Sequence, residues 1–387
     1  MKNIKKAGEL HEKKRGNWIC CMACTCRARS DYDRGVGVTG FVVWLVLVLV
    51  TVGCLPFFHQ QEYSAWVVGE VDDEGIAMLL FSGDSGKTWV RQGGDVLPQG
   101  KPLSDVLAIN NTEVWAVGAD GLIMNTSDGG DVWSLVDVSE VADGVSFYSI
   151  SIVQDTIWLG GEGGTVIYSE DGGVNWYTSS LPEGSENYII QGIFAVSTDI
   201  VYAVGNKSIP PAGTVLRTED GGETWETIEL PNDYNYHGWI GVKAVDEDHV
   251  VIYGGQGHYV VTANGGEQWV TGGPLFSNDI NSLVMLDSSH YWAACDFDKI
   301  IITENSGISW SEQESAGPAN SFLLGIDALD KRNALIVGSS AGFPQFGKIL
   351  RTSDGGTTWE AVYDNSDNSG VPLSHVSIAS NYPKKGF

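Results

Sequence analysis

Beyond residue 60 this 387-residue chain has a single cysteine, Cys295, so no internal disulfide can brace that part, and the thiol reads as a small core residue. The other cysteines are Cys20, Cys21, Cys24, Cys26 and Cys54. The first four are too crowded to form two separated Cys-x-x-Cys knuckles, and no metal or cofactor is expected. Basic residues are scarce. Of 22 Lys/Arg and 49 Asp/Glu, nine and four fall in residues 1–34, leaving 13 against 45 beyond, a net of −32. That balance argues against nucleic acid and against adhesion of most of the surface to anionic lipid. It permits a cationic partner, divalent ions or saline surroundings, and a merely well-solvated surface is the commoner explanation. Amphipathic helical patterning is also missing after about residue 60.

What the chain does have is one box of eight residues, seven times over. The copies begin at Ser82, Thr126, Ser169, Thr218, Thr262, Thr303 and Thr352. Each reads Ser/Thr, any residue, Asp or Asn, Gly or Ser, Gly, two variable residues, Trp, as in Ser169-Glu170-Asp171-Gly172-Gly173-Val174-Asn175-Trp176. The mean spacing is 45 residues. A repeat of that size is a supersecondary unit that buries its apolar face only by stacking on its neighbours.

Within a repeat, short β-branched and aromatic runs alternate with Gly, Asn and Asp turns, the signature of strands. In the second copy these are Val106–Ile109, Trp115–Gly118, Leu122–Asn125 and a run opened by the box Trp. They are named strands A to D, and the box is the C–D hairpin. Strand B often ends in Gly, as at Gly118, Gly205 and Gly338. The expected fold is all-β: a seven-bladed β-propeller over residues 59–387.

The box residues suit a structural turn. Gly at the fifth position can take a positive φ. The third position, occupied by Asp84, Asp128, Asp171, Asp220, Asn264, Asn305 and Asp354, can accept bonds from turn amides, as can the Ser/Thr hydroxyl. The Trp supplies a large packing face. Asn in two copies suits a capping acceptor better than a catalytic acid or a metal carboxylate.

These residues resemble the Asp-box, or bacterial neuraminidase repeat, of sialidases, xyloglucanases and sortilin-type receptors. The form Asp-Gly-Gly-x-Thr-Trp, at Asp220–Trp225 and Asp354–Trp359, is most similar to the photosystem II stability and assembly factor family. The resemblance covers roughly residues 60–381 and implies a seven-bladed, extracytoplasmic, chaperone-like scaffold. It also implies an arginine-rich binding patch, whereas the corresponding loops here are largely acidic. Sialidases use an arginine triad and a Tyr/Glu nucleophilic pair. Only Arg91, Arg217, Arg332 and Arg351 follow the basic tail, no Phe/Tyr-Arg-Ile-Pro segment precedes the first box, and Arg217 and Arg351 occupy equivalent positions just before a box Thr. Xyloglucanases need two propellers for their cleft. No catalytic residue is assigned.

Two tempting motifs dissolve into the repeat. Gly83-Asp84-Ser85-Gly86 matches a serine-protease signature, and Gly83–Thr88 looks like the tail of a phosphate loop that lacks its first Gly. Both lie inside box one. The first repeat lacks a strand A, while Leu373–Ile378 resembles Leu103–Ala108. The C-terminal strand 373–378 is therefore expected to close the ring in blade one.

Residues 35–58 carry no charge and centre on Phe41–Val50. A helix of that length spans about 36 Å, enough for a bilayer core of about 30 Å. With the basic tail 1–34 before it, the segment reads as a signal anchor, its N-terminus cytoplasmic and the propeller exported. The alternatives are a cleaved signal peptide and a lipoprotein at Cys54, because Thr51-Val52-Gly53-Cys54 partly resembles a lipobox.

Function must then reside on a face. B–C and D–A connections share one face of a propeller, and A–B and C–D connections the other. The candidate binding face carries Asp120, Glu162, Asp296 and Asp298 in B–C turns and Tyr234, Tyr236, His237 and Trp239 before blade five. It also has two expanded B–C loops, Asn206–Thr214 and Ser339–Lys348, the second with Phe343 and Phe346. The expectation is a membrane-tethered, non-enzymatic scaffold that binds a protein partner, with photosystem II assembly as the special case. The alternative is an extracytoplasmic propeller that binds or cleaves carbohydrate.

Overall fold

The computed structural model describes residues 62–208, 211–231, 238–273, 275, 277–315, 321–340, 345–365 and 370–380. The tail 1–34 and the expected membrane segment 35–58, with Cys54, lie outside these residues. Among the described residues no helix is long and apolar enough to cross a membrane.

Residues 61–387 form a unit of seven four-stranded antiparallel sheets. The sequence expectation of a seven-bladed propeller is met. Blade one shows how the ring closes. Its strand A is Leu373–Ser380, paired with strand B, Tyr63–Val71, which pairs with Ala77–Ser82 and then Val90–Arg91. The closing strand is two residues longer than expected, and its Ser380 faces Tyr63. Blades two to seven run A to D in chain order. Their strands A are Leu103–Ala108, Phe147–Val153, Ile189–Ala195, Trp239–Ala244, Ile280–Met285 and Phe322–Ala328. The one short α-helix among the described residues, Ser139–Ala142, lies between blades two and three.

The cores sit between blades. Trp66 and Leu79 of blade one pack with Leu103, Val106 and Met124 of blade two, and six similar clusters fill the remaining gaps around the ring. Each fully buried Leu, Ile or Val contributes roughly 1.5–3 kcal/mol, so stability is distributed around the circle.

Inner strands have one edge without a sheet neighbour, which must be satisfied some other way. Side chains of the adjoining blade do this. Ile150 N–H donates to Asp105 Oδ2 at 2.9 Å, Ala195 N–H to Ser151 Oγ at 2.9 Å, and Ile378 N–H to Asp327 Oδ2 at 2.7 Å. Every strand A also carries a β-bulge near its start, for example at Ser104, Gln191 and Asn281. That geometry explains the Gly at the end of strand B. A Cβ on Gly118 would lie 2.1 Å from the Pro102 carbonyl oxygen, and one on Gly338 would lie 1.9 Å from that of Phe322.

Candidate functional site

The seven boxes share one hydrogen-bond pattern. In box one Ser82 Oγ donates to Asp84 Oδ1 (2.9 Å), Thr88 N–H donates to the same oxygen (2.9 Å), and Gly86 N–H donates to Ser82 Oγ (2.9 Å). All three bonds recur in every box. Asn264 and Asn305 use their single amide oxygen for the task, and Asn305 turns its NH₂ onto Ser309 Oγ at 2.8 Å. Asp84 loses some charge stabilisation to burial, but the amide and hydroxyl donors prevail and hold its carboxyl at about 2. Asp220 is likewise held at about 2, chiefly by the Thr224 hydroxyl and amide.

Both the fourth and fifth box positions are left-handed. Ser85 (φ 65°) and Ser306 (φ 60°) hold the fourth position where the other boxes have Gly. Each adds a bond: Ser85 Oγ accepts from Tyr63 N–H, and Ser306 Oγ donates to the Ser288 carbonyl. The fifth Gly also meets the preceding blade. A Cβ on Gly173 would lie 2.4 Å from the Trp115 ring, and one on Gly222 would lie 2.5 Å from that of Trp158. Trp176 and Trp225 stand edge-on to those same two rings, at 6.4 and 6.1 Å. The boxes therefore fasten one blade to the next. Arg351 reinforces the seam where the chain ends meet, donating through Nε to the Ser85 carbonyl and pairing with Glu360. Arg217 pairs with Glu219 and lies over the Tyr202 ring.

The opposite face is less uniform. Asp120 is exposed at a left-handed turn position, where Lys101 Nζ donates to its carbonyl. Glu162 is exposed and accepts from Tyr148 Oη at 2.9 Å. Burial, then the bond to Glu162, pushes the Tyr148 hydroxyl up to about 12. Asp296 is half-buried and accepts from Asn281 Nδ2 at 2.8 Å. Asp298 forms an ion pair with Lys348 Nζ at 2.5 Å, both side chains being at most 10% exposed. Burial lowers the Lys348 ammonium pKa, with Asp298 opposing it. Phe346 is half-buried and its amide donates to Ser340 Oγ.

Trp239 is a correction. Its side chain is fully buried rather than presented to a ligand. It opens strand A of blade five and takes the same inward position as Leu103, Phe147 and Ile280. The expanded loop Asn206–Thr214 is also corrected. It is mostly a continuation of the blade-four hairpin, with Asn206 opposite Gly213 and Lys207 opposite Ala212. Likewise Ser339 pairs with Gly347, which shortens the second expanded loop. Tyr234, Tyr236, His237 and Phe343 lie outside the described residues.

One cleft on this face, of about 300 Å³, is lined by Gln191, Asn206, Lys207, Ile240 and Asp279, together with Ala212, Gly238 and Gly255. Lys207 Nζ lies 4.8 Å from the centre of the Tyr188 ring. Gln191 and Ile240 are bulge residues of strands A. No single-strand pattern marks them, since the bulge is defined only by the partner strand. The Asp298–Lys348 pair spans 50 residues of sequence and was equally hidden.

Seven blades whose C–D hairpins are all Asp-boxes define this chain as an Asp-box, or bacterial neuraminidase repeat, propeller. Its repeats are of the photosystem II assembly-factor type: the family model for photosynthesis system II assembly factor YCF48 matches residues 94–228 and 153–273. Among solved structures, YCF48 bound to a D1 peptide is similar at 18% identity, with TM-score 0.55 over 70% of this chain and 90% of that one. YCF48 from Cyanidioschyzon merolae is similar at 16% identity, with TM-score 0.54 over 80% and 98%. The WD40 propeller of Doa1, at 13% identity and TM-score 0.50 over 70% and 92%, shows how widely this architecture is shared. The search of curated proteins returned no match.

Proposed function

We propose that this propeller is a non-enzymatic scaffold that holds a segment of a membrane protein on its B–C/D–A face during assembly of a membrane complex. The observation that carries the reading is the YCF48 family match across residues 94–273, joined to a relative solved with a D1 peptide. The uncharged run 35–58 after a basic tail supports a single-pass tether with the propeller outside the cytoplasm. The first described strand begins at Tyr63 against box one, on the Asp-box face.

The client differs in charge from what an arginine-rich patch would select. Three of the four propeller arginines, Arg91, Arg217 and Arg351, are held in ion pairs within the chain. The charged residues exposed in the B–C turns, Asp120 and Glu162 among them, are instead acidic, so the partner segment carries positive charge. Crosslinking in native membranes, followed by purification of the full chain, tests this. A recurring membrane-protein partner attached at B–C or D–A positions is expected. Crosslinks confined to Asp-box positions, or hydrolysis of sialosides or β-glucans by the purified chain, would sink the reading.

A further inference from the structure

Four B–C turns of the ring share one geometry. In blades two, three, five and six the residue ending strand B donates its N–H to a carbonyl four residues on: Gly118 to Leu122, Gly161 to Thr165, Gly254 to His258 and Cys295 to Lys299. Between them lie two successive left-handed residues: Asp120-Gly121, Gly163-Gly164, Gln256-Gly257 and Phe297-Asp298. Three turns place Gly second, as a left-handed position favours. Blade six alone has side chains at both positions, and the first is Phe, at φ 58°. A non-Gly residue held there costs of order 1–3 kcal/mol. Closing the turn does not need this residue, because Asp, Gly and Gln serve at the equivalent position.

The strain holds an aromatic ring in solvent. Phe297 is 51% exposed, with its ring 5.9 Å from that of Phe322. Asp298 fixes the turn to the next blade: its N–H donates to the Ser321 carbonyl, its Oδ2 accepts from Ser321 N–H at 2.7 Å, and its Oδ1 takes Lys348. Asp296, the residue before Phe297, is bonded to the neutral Asn281, and Asp279 to the Gln256 backbone amide. Neither carboxylate has an ion-pair partner among the described residues. Asp296 N–H donates to the Asp279 carbonyl, and Asp279 also lines the cleft, so the tip and the cleft adjoin.

We propose that Phe297 is a preorganised anchor for an extended basic segment of the partner. An apolar side chain of that segment packs on Phe297 and Phe322, and a neighbouring Lys or Arg meets Asp296 and Asp279. The ring face adds cation–π attraction for an Arg. The proposal rests on the reading of this face as protein-binding. It names the chemistry of the partner, and it gives a use for an exposed Phe in a turn that disfavours it.

The test pans a random linear-peptide display library against the full chain and then measures Kd for the selected peptides. Peptides with Lys or Arg beside an aromatic or aliphatic residue are expected. Phe297→Gly should weaken their Kd at least about tenfold, as for an anchor residue, while Tm holds or rises because strain is relieved. Asp296→Asn keeps the oxygen that Asn281 needs, and should weaken binding severalfold and reduce its dependence on salt. A fall in Tm for Phe297→Gly, with Asp296→Asn binding normally, would assign the ring a packing role and overturn the proposal. Peptides that bind but ignore both substitutions would overturn the anchor and leave the protein-binding reading intact. Selection of acidic peptides would overturn the charge argument, and a library yielding no binder would overturn both readings.

Discussion

On the Asp-box face, seven turns keep one hydrogen-bond pattern although two carry Asn for Asp and two carry Ser for Gly. On the opposite face, turns with a common backbone carry Asp120, Gly163, Gln256 and Phe297 at one equivalent position, and the blade-four hairpin extends beyond its neighbours. The difference separates two kinds of constraint. A box residue must satisfy its own turn and fit the preceding blade, so few residues serve. A B–C residue need only close the turn, so the rest of its chemistry is free to vary with what it meets. Sequence variety within a repeat protein therefore points toward the working surface.

Both faces depend on the closed ring, and opening it gives the largest expected effect. Deleting residues 371–387 removes the buried Leu373, Val376 and Ile378 and leaves strand B of blade one unpaired along its inner edge. At about 1.5–3 kcal/mol for each buried side chain, the loss is roughly 5 kcal/mol or more. Cooperative unfolding should disappear or shift far down in denaturant, whereas removing residues 1–34 should leave the midpoint of the propeller transition in place. Equal effects of the two deletions would refute closure as a main support.

A glycine pair sharpens the contrast between faces. Gly173 in box three (φ 88°) would place a Cβ 2.4 Å from the Trp115 ring, while Gly163 in the blade-three B–C turn (φ 62°) meets nothing nearer than 4.0 Å. Gly163→Ala should cost about 1–2 kcal/mol, the left-handed penalty alone. Gly173→Ala adds overpacking and should cost about 3 kcal/mol. Chemical denaturation of the two variants checks this, and equal midpoints would remove the distinction.

The smallest effect concerns the box acid itself. Asp128→Asn should retain the fold at neutral pH, because the bonds from Thr126 and Val132 reach one oxygen, as they do in the Asn boxes. Acid behaviour should change where the carboxylate is strongly held. Asp84 and Asp220 sit at about 2, below the ordinary carboxylate value. Their contribution is present in full above about pH 4 and lost as pH falls toward 2. Replacing either by Asn should flatten the decline of Tm across that window, and an unchanged slope would count against the bonding assigned to these carboxylates.

Much of the frame was legible because each repeat restates it. The box, its spacing and the likeness of Leu373–Ile378 to Leu103–Ala108 together specified blade number and closure. The site was less legible because its features arise between strands. Trp239 looked like a ligand-facing aromatic beside Tyr234 and Tyr236, yet alignment with Leu103 places it in the core. Bulge residues such as Gln191, and the meeting of Asp298 with Lys348, exist only once blades stand side by side. Phe297 was within reach: setting the four B–C turns one above another shows a Phe-Asp pair where the others end in Gly.

Closure by the last strand also sets an order of events during synthesis. Strand B of blade one is among the first parts of the propeller to leave the ribosome, and the strand that covers its inner edge is the last. At about 5–20 residues per second, some 300 intervening residues take roughly 15–60 s to make. Through that interval Trp66, Val67 and Val68 belong to a strand whose inner-edge partner does not yet exist. The nascent arc must be kept from pairing with other chains until its final residues arrive, and a prematurely terminated chain has no means of completing the circle.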